Sequence, residues 1–241
     1  EEEFIVTLSA KTEQSLKNYS KKLKEYLKNT QKSISDIAFV LNLGRDDYEF
    51  KKAFVVSDKE DFIKQISAVS EWSFNEKIPK QRSLIFLCSG NAMIDKVLID
   101  ILTCKYPVFK SHWDTCKEKA DISNTSAGII AFQYSLYKTL ISLGIKPKHV
   151  FGTGLGNITV EAITGKISIE SALQKAVLTP HTSQSFNKEA FINTVDSLIK
   201  TDFPVFVELG TIGILIDTLK KINNSGIIAF AVKKEQPNLL L

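Results

Sequence analysis

The chain lacks any apolar run approaching the roughly 18 residues of a membrane-spanning helix. Its opening, Glu1-Glu2-Glu3-Phe4, has none of the basic-then-apolar order of a secretory signal. Cysteine is scarce. Cys88, Cys104 and Cys116 are odd in number and have no Cys-x-x-Cys spacing, which excludes a disulfide framework and points to reduced thiols in a cytoplasmic protein. The three histidines, His112, His149 and His181, show no metal-ligand spacing with one another or with the cysteines, so no metal and no cofactor is expected. A basic stripe is missing too: Lys+Arg number 31 against 27 Asp+Glu, a net charge of +4 spread along the chain. The one lysine-rich stretch, Lys21 to Lys28, lies on one side of an amphipathic helix and reads as a solvated face, which speaks against nucleic acid as a partner. No arginine follows Arg82. The chain begins abruptly at a strand-like segment, as expected of a piece cut from a longer polypeptide.

What is present suffices for a sizeable core, since 44% of the 241 residues are hydrophobic, enough for one large domain or two modest ones. The rest of the chain is organised around His149 to Ala162. There the apolar Val150 and Phe151 meet three alternating glycines, Gly152, Gly154 and Gly156, and a helical pattern follows. Such a strand turning sharply into a helix needs glycine where backbones approach closely or φ turns positive. In the nucleophile elbow, Gly-x-Ser-x-Gly, the middle residue sits at the tip of that turn and presents a hydroxyl. Here the middle residue is Gly154. The elbow has its frame and no nucleophile.

Along the chain, Phe4 to Leu8 reads as a strand. Thr12 then caps a helix whose apolar face is Leu16, Tyr19, Leu23 and Tyr26 or Leu27. Ser33 with Asp36 opens a second helix that ends before Gly44. Ala53 to Val56 is a strand, and Ser57 with Glu60 caps a helix that buries Phe62, Ile63, Ile66 and Val69. This β-α-α-β-α unit is followed by a polar, Pro79-containing connection, 71–82. Then come a strand (Ser83 to Leu87), a helix (Ile94 to Leu102), a helix bearing Cys116, and the long helix Ala127 to Gly144. After the elbow the pattern predicts a strand at Pro204 to Leu209, a helix at Ile214 to Ile222 and a last strand at Gly226 to Val232.

The order from Ala127 through the elbow to Gly165-Lys-Ile-Ser-Ile-Glu-Ser-Ala-Leu resembles the malonyl/acyl-CoA:ACP acyltransferase domain of modular polyketide synthases. That family's elbow reads Gly-His-Ser-Leu-Gly-Glu. Gly152, Leu155 and Gly156 match it, whereas Thr153, Gly154 and Asn157 replace its His, Ser and Glu. Tyr106-Pro-Val-Phe-Lys resembles its Phe-Pro-x-Phe, and Phe203-Pro-Val-Phe-Val-Glu-Leu-Gly its Phe-Val-Glu-Val-Gly-Pro strand. The first unit, through Leu8-Ser-Ala, Leu41-Asn-Leu-Gly-Arg and Lys52-Ala-Phe-Val-Val, resembles the ketosynthase-to-acyltransferase linker. The resemblance implies an α/β architecture: a small linker-like domain over 1–78, then an α/β-hydrolase-like acyltransferase core over 79–241. That core is expected to lack the ferredoxin-like small subdomain, because the pattern jumps from Ala172-Leu-Gln-Lys-Ala-Val-Leu almost directly to Phe186-Asn-Lys-Glu-Ala-Phe. Where the family has Phe-x-Phe-Pro-Gly-Gln-Gly, this chain continues Cys88-Ser-Gly-Asn-Ala-Met, so the glutamine whose amide helps form the oxyanion hole is absent.

Acyl transfer through an ester needs a nucleophile, a base beside it and amides aimed at the oxyanion. Thr153 lies one step off the tip, Ser89 reads as a turn residue, Cys88 as an inert thiol, His181 as an exposed loop residue, and His112 and Trp113 as packing and surface. A dinucleotide site fails because Gly-x-Gly-x-x-Gly breaks at Asn157, and its acidic partner would have to be Glu170. The expected role is therefore a catalytically inactive, acyltransferase-like scaffold or docking platform. Its implied partners are the flanking ketosynthase, the acyl carrier protein and an acyltransferase acting in trans. The alternative is a residual thioester hydrolase or decarboxylase with a relocated base at His181 or Cys88.

Overall fold

A computed structural model describes residues 3–46, 48–68, 82–90, 95–123, 125–179, 188–202, 204–210, 213–222 and 228–231. The chain divides into two compact units, over residues 1–80 and 81–240.

In the first unit, β1 (Phe4–Ala10) runs antiparallel to β2 (Phe50–Val56), with Phe4 opposite Val56 and Ala10 opposite Phe50. Period-two alternation sends Val6, Leu8 and Ala10 inward and Thr7 outward, as a half-buried strand requires. The helices α1 (Glu13–Asn29), α2 (Ile34–Leu43) and α3 (Lys59–Ser67) contribute Leu16, Leu27, Ile37, Leu41, Phe62 and Ile66 to the same core. Fully burying such side chains stabilises by about 1.5–3 kcal/mol each. Thr12 and Ser33 cap α1 and α2, their hydroxyls accepting from Ser15 N and Asp36 N. Strand β1 runs two residues beyond the expected Leu8, to Ala10, and two other boundaries differ from those expected. The cap of α3 is Asp58, accepting from Asp61 N, while Ser57 N donates back to Asp61 Oδ2 at 3.2 Å; the box is thus shifted one residue from Ser57 and Glu60. Strand β2 starts at Phe50 because Phe50, Lys51 and Lys52 pair across to Ala10, Ser9 and Leu8. Val69 and the 71–81 connection lie outside the described residues.

Among its described residues the second unit holds a four-stranded sheet in the order β4-β3-β5-β6, all parallel: β3 (Leu84–Ser89), β4 (His149–Thr153), β5 (Val205–Glu208) and β6 (Ile228–Ala231). Parallel sheets need helices on both faces, and central strands then read as unbroken apolar runs. Leu84-Ile-Phe-Leu-Cys is such a run. Phe86 and Cys88 point into a core shared with α4 (Lys96–Lys105), α5 (Pro107–Lys119), α6 (Thr125–Ser142), α7 (Leu155–Ile163) and α8 (Ile169–Leu178). Ile85 and Leu87 point the other way, onto α9 (Lys188–Asp202) and α10 (Ile214–Ile222) through Phe191, Val195, Leu215 and Leu219. Pro107 opens α5 at its first turn, where a missing N–H costs nothing. The α/β expectation holds. The chain leaves β3 to one side to form β4 and returns on the other as β5, so the strand order reverses beside β3. In open α/β sheets ligands bind outside the carboxyl ends of strands at such a point.

Candidate functional site

At the carboxyl end of β4, Gly154 has φ +57° and ψ −127°, and α7 begins at the next residue. This is the sharp strand-to-helix turn anticipated from the three glycines, and the backbone at 154 is one that L side chains rarely adopt. Its two neighbours serve a different purpose. A Cβ on Gly152 would meet the carbonyl carbon and oxygen of Gly156 at 2.5 Å, and one on Gly156 would overlap the carbonyl oxygen of Cys88. Gly90, just past β3, is wedged likewise: its Cβ would come 2.7 Å from Thr153 O. The ends of β3 and β4 and the start of α7 are thus packed backbone to backbone.

A buried polar network lies beneath. Gln133 of α6 donates from Nε2 to Ser89 O at 2.8 Å and accepts at Oε1 from Thr159 Oγ1 of α7 at 2.7 Å. Both side chains are fully buried, so their bonds are made at low dielectric and are costly to leave half-made. On the far side of β3, Glu208 ends β5 with its carboxylate buried, accepting from the N–H groups of Leu215 and Ile216 at 3.0 and 3.1 Å. It occupies the N-terminus of α10, where the helix dipole favours negative charge. Burial raises its pKa to about 7, against the opposing pull of those backbone donors. Gln133 is not singled out by the sequence motifs, and Glu208 enters them only as part of the Phe203-to-Gly210 strand; the signal of each is a single polar letter inside an otherwise apolar stretch.

The other sequence candidates fall apart spatially or chemically. Thr153 is half-buried on β4, one step before the tip. Ser89 is buried at the end of β3. Cys88 is fully buried, and burial first, with the Glu208 charge second, pushes its thiol far up; burial lifts Cys116 to about 12. Neither supplies a thiolate near neutrality. His112 packs edge-on to Tyr134, and burial, then Lys138, lowers its pKa; Trp113 beside it is core. Glu170 lies in the first turn of α8 with its carboxylate 3.8 Å from Lys119, and Asn157 is already inside α7. His181 and 91–94 lie outside the described residues. Among the described residues no three His, Cys, Asp or Glu side chains cluster in a way that could hold a metal, and no helix is long and apolar enough to cross a membrane.

The backbone arrangement matches solved structures closely. The acyl transferase domain of SpnD, in complex with 2-(pent-4-yn-1-yl)malonyl, superposes with a TM-score of 0.77 over 96% of this chain and 90% of that one, at 13% identity. The fold is that of a polyketide synthase acyltransferase domain. The acyl transferase domain of ZmaA shares the acyltransferase fold at a TM-score of 0.64, covering 73% of this chain and 47% of that one at 19% identity. In sequence, residues 4–66 match the family described as CurL-like, PKS C-terminal. The chain is 28% identical over 201 residues to the non-reducing polyketide synthase Preu6 of Preussia isomera, and 27% over 198 to the orsellinic acid synthase armB of Armillaria mellea. These alignments cover 73% and 70% of the chain but 9% of either relative's length.

Proposed function

We propose that this chain is a catalytically inactive acyltransferase-like domain of a polyketide synthase, with a ketosynthase-to-acyltransferase linker-like unit over 1–78 and a pseudo-acyltransferase unit over 79–241. It serves as a structural scaffold or as a docking platform for a trans-acting acyltransferase or a carrier protein, beside a flanking ketosynthase. The observation that carries this reading is Gly154. The acyltransferase elbow is formed, with its strand, its turn and its helix, and its tip bears no side chain. The hydroxyls and thiol at the ends of β3 and β4 are unsuited: Thr153 is one residue off the tip, Ser89 is buried, and Cys88 is buried and held protonated. Only residues 179–187 lie between α8 and α9, which supports the loss of the small subdomain that resemblance places there. The free cysteines agree with a reducing, cytoplasmic setting. A fold that keeps its core while lacking its nucleophile is retained for its shape.

The test is direct. The purified chain, incubated with malonyl-CoA and followed by intact mass spectrometry, acquires no acyl adduct. A stable adduct that maps to one residue overturns the inactive reading. Loss of such an adduct on His181→Ala or Cys88→Ala would favour the residual thioester enzyme.

A further inference from the structure

Helix α2 is apolar on more sides than its own unit covers. Ile37, Ala38 and Leu41 are buried, yet Phe39, Val40 and Leu43 on the opposite side are 65%, 55% and 73% exposed. Tyr26 of α1, also more than half exposed, stands across from it. Between the two helices runs a groove of about 760 Å³, floored by Leu23, Ile37 and Leu41. Contiguous apolar surface of this kind marks an interaction site, whereas scattered exposed side chains do not.

The rim of the groove is mainly positive. Lys22, Lys32 and Arg45 line it against a single carboxylate, Asp36, which accepts at 2.7 Å from Ser33 Oγ in the α2 cap. None of the three cations forms an ion pair among the described residues. Arg45 is held at the edge by Tyr19, its guanidinium 5.3 Å above the ring centre.

We propose that the α1–α2 groove seats an amphipathic helix of a partner protein whose apolar stripe is flanked by Asp and Glu. Anchors at i, i+3, i+4 and i+7 would cover Tyr26, Phe39 and Val40, the usual mode by which a helix fills an apolar groove. Flanking carboxylates would meet Lys22, Lys32 and Arg45, which fixes orientation and raises the association rate. A second copy of this chain is the poorer occupant, because a two-fold contact on this patch brings the same cations face to face. The proposal does not depend on whether the elbow is inert.

The experiment uses the intact 241-residue chain and a labelled helical peptide of about 18 residues, with Leu and Phe at i, i+3, i+4 and i+7 and Glu elsewhere. A control peptide carries Lys for every Glu. By fluorescence anisotropy the acidic peptide binds, and the basic one binds at least about tenfold more weakly. Phe39→Asp abolishes binding. The double variant Lys22→Glu/Arg45→Glu weakens the acidic peptide about tenfold and keeps the test intact should Phe39→Asp fail to fold. No binding of the acidic peptide, equal binding of both peptides, or binding indifferent to these substitutions overturns the proposal. So does a concentration-dependent dimer in sedimentation that Phe39→Asp abolishes, since the occupant would then be a second copy.

Discussion

The carbonyl oxygen of Cys88 occupies the place that a Cβ on residue 156 would need, so β3 and the first turn of α7 touch at Gly156 with no side chain between them. The contact is backbone on backbone, and neither partner can rotate away. Gly156→Ala should therefore lower unfolding free energy by about 3 kcal/mol or more, or prevent folding. Gly165→Ala is the control: its φ is +76° but its Cβ would meet nothing within 4 Å, so it should cost only about 1–2 kcal/mol. Chemical denaturation of the two variants separates steric exclusion from backbone strain.

Gly154→Ser places a hydroxyl back at the elbow tip. The positive φ there should cost about 1–2 kcal/mol. If the domain is inert as proposed, the variant should still acquire no malonyl adduct by intact mass. Acylation of this variant would mean that the rest of the catalytic apparatus survives.

Replacing Gln133 by Leu removes the donor to Ser89 O and the acceptor of Thr159 Oγ1 together. Losing both bonds should cost about 2–4 kcal/mol, while Thr159→Val, which removes only the bond to Oε1 of Gln133, should cost about 1–2. The two substitutions combined should cost less than their sum, because they break a shared bond. A double-mutant cycle by urea titration reads this coupling.

Glu208 makes stability depend on pH. Its folded pKa is raised from 4.5 to about 7, so the folded chain holds a proton that the unfolded chain gives up. The stabilisation from that proton is complete below about 4.5 and is lost as pH rises through about 7, a change of at most ~3 kcal/mol. Glu208→Gln keeps an oxygen acceptor for Leu215 and Ile216 N–H and should flatten the profile over this window. An unchanged profile would place the titrating group elsewhere.

Thiol chemistry should single out Cys104, which is exposed, while Cys88 and Cys116 are buried with raised thiol pKa values. A thiol-reactive disulfide reagent should modify one cysteine quickly in the native chain and all three after unfolding.

Several features of this protein follow from local sequence alone. Thr12 and Ser33 fix two helix starts because a short hydroxyl reaches N–H groups that no carbonyl can serve. The run Leu84 to Cys88 announces a strand buried on both faces, and Gly152-Thr-Gly-Leu-Gly announces the elbow with its empty tip. These are short-range constraints, set by caps, periodicity and backbone freedom within a few residues. The shift of the α3 cap from Ser57 to Asp58 was out of reach, because both residues can cap and only the pairing of β2 against β1 decides where the strand ends. The buried roles of Gln133 and Glu208 were equally out of reach. Each depends on partners 44 residues away at Ser89, 26 away at Thr159, or in the first turn of α10. A polar letter in an apolar stretch signals that some bond must exist inside, but its partner is chosen by which elements the fold packs together.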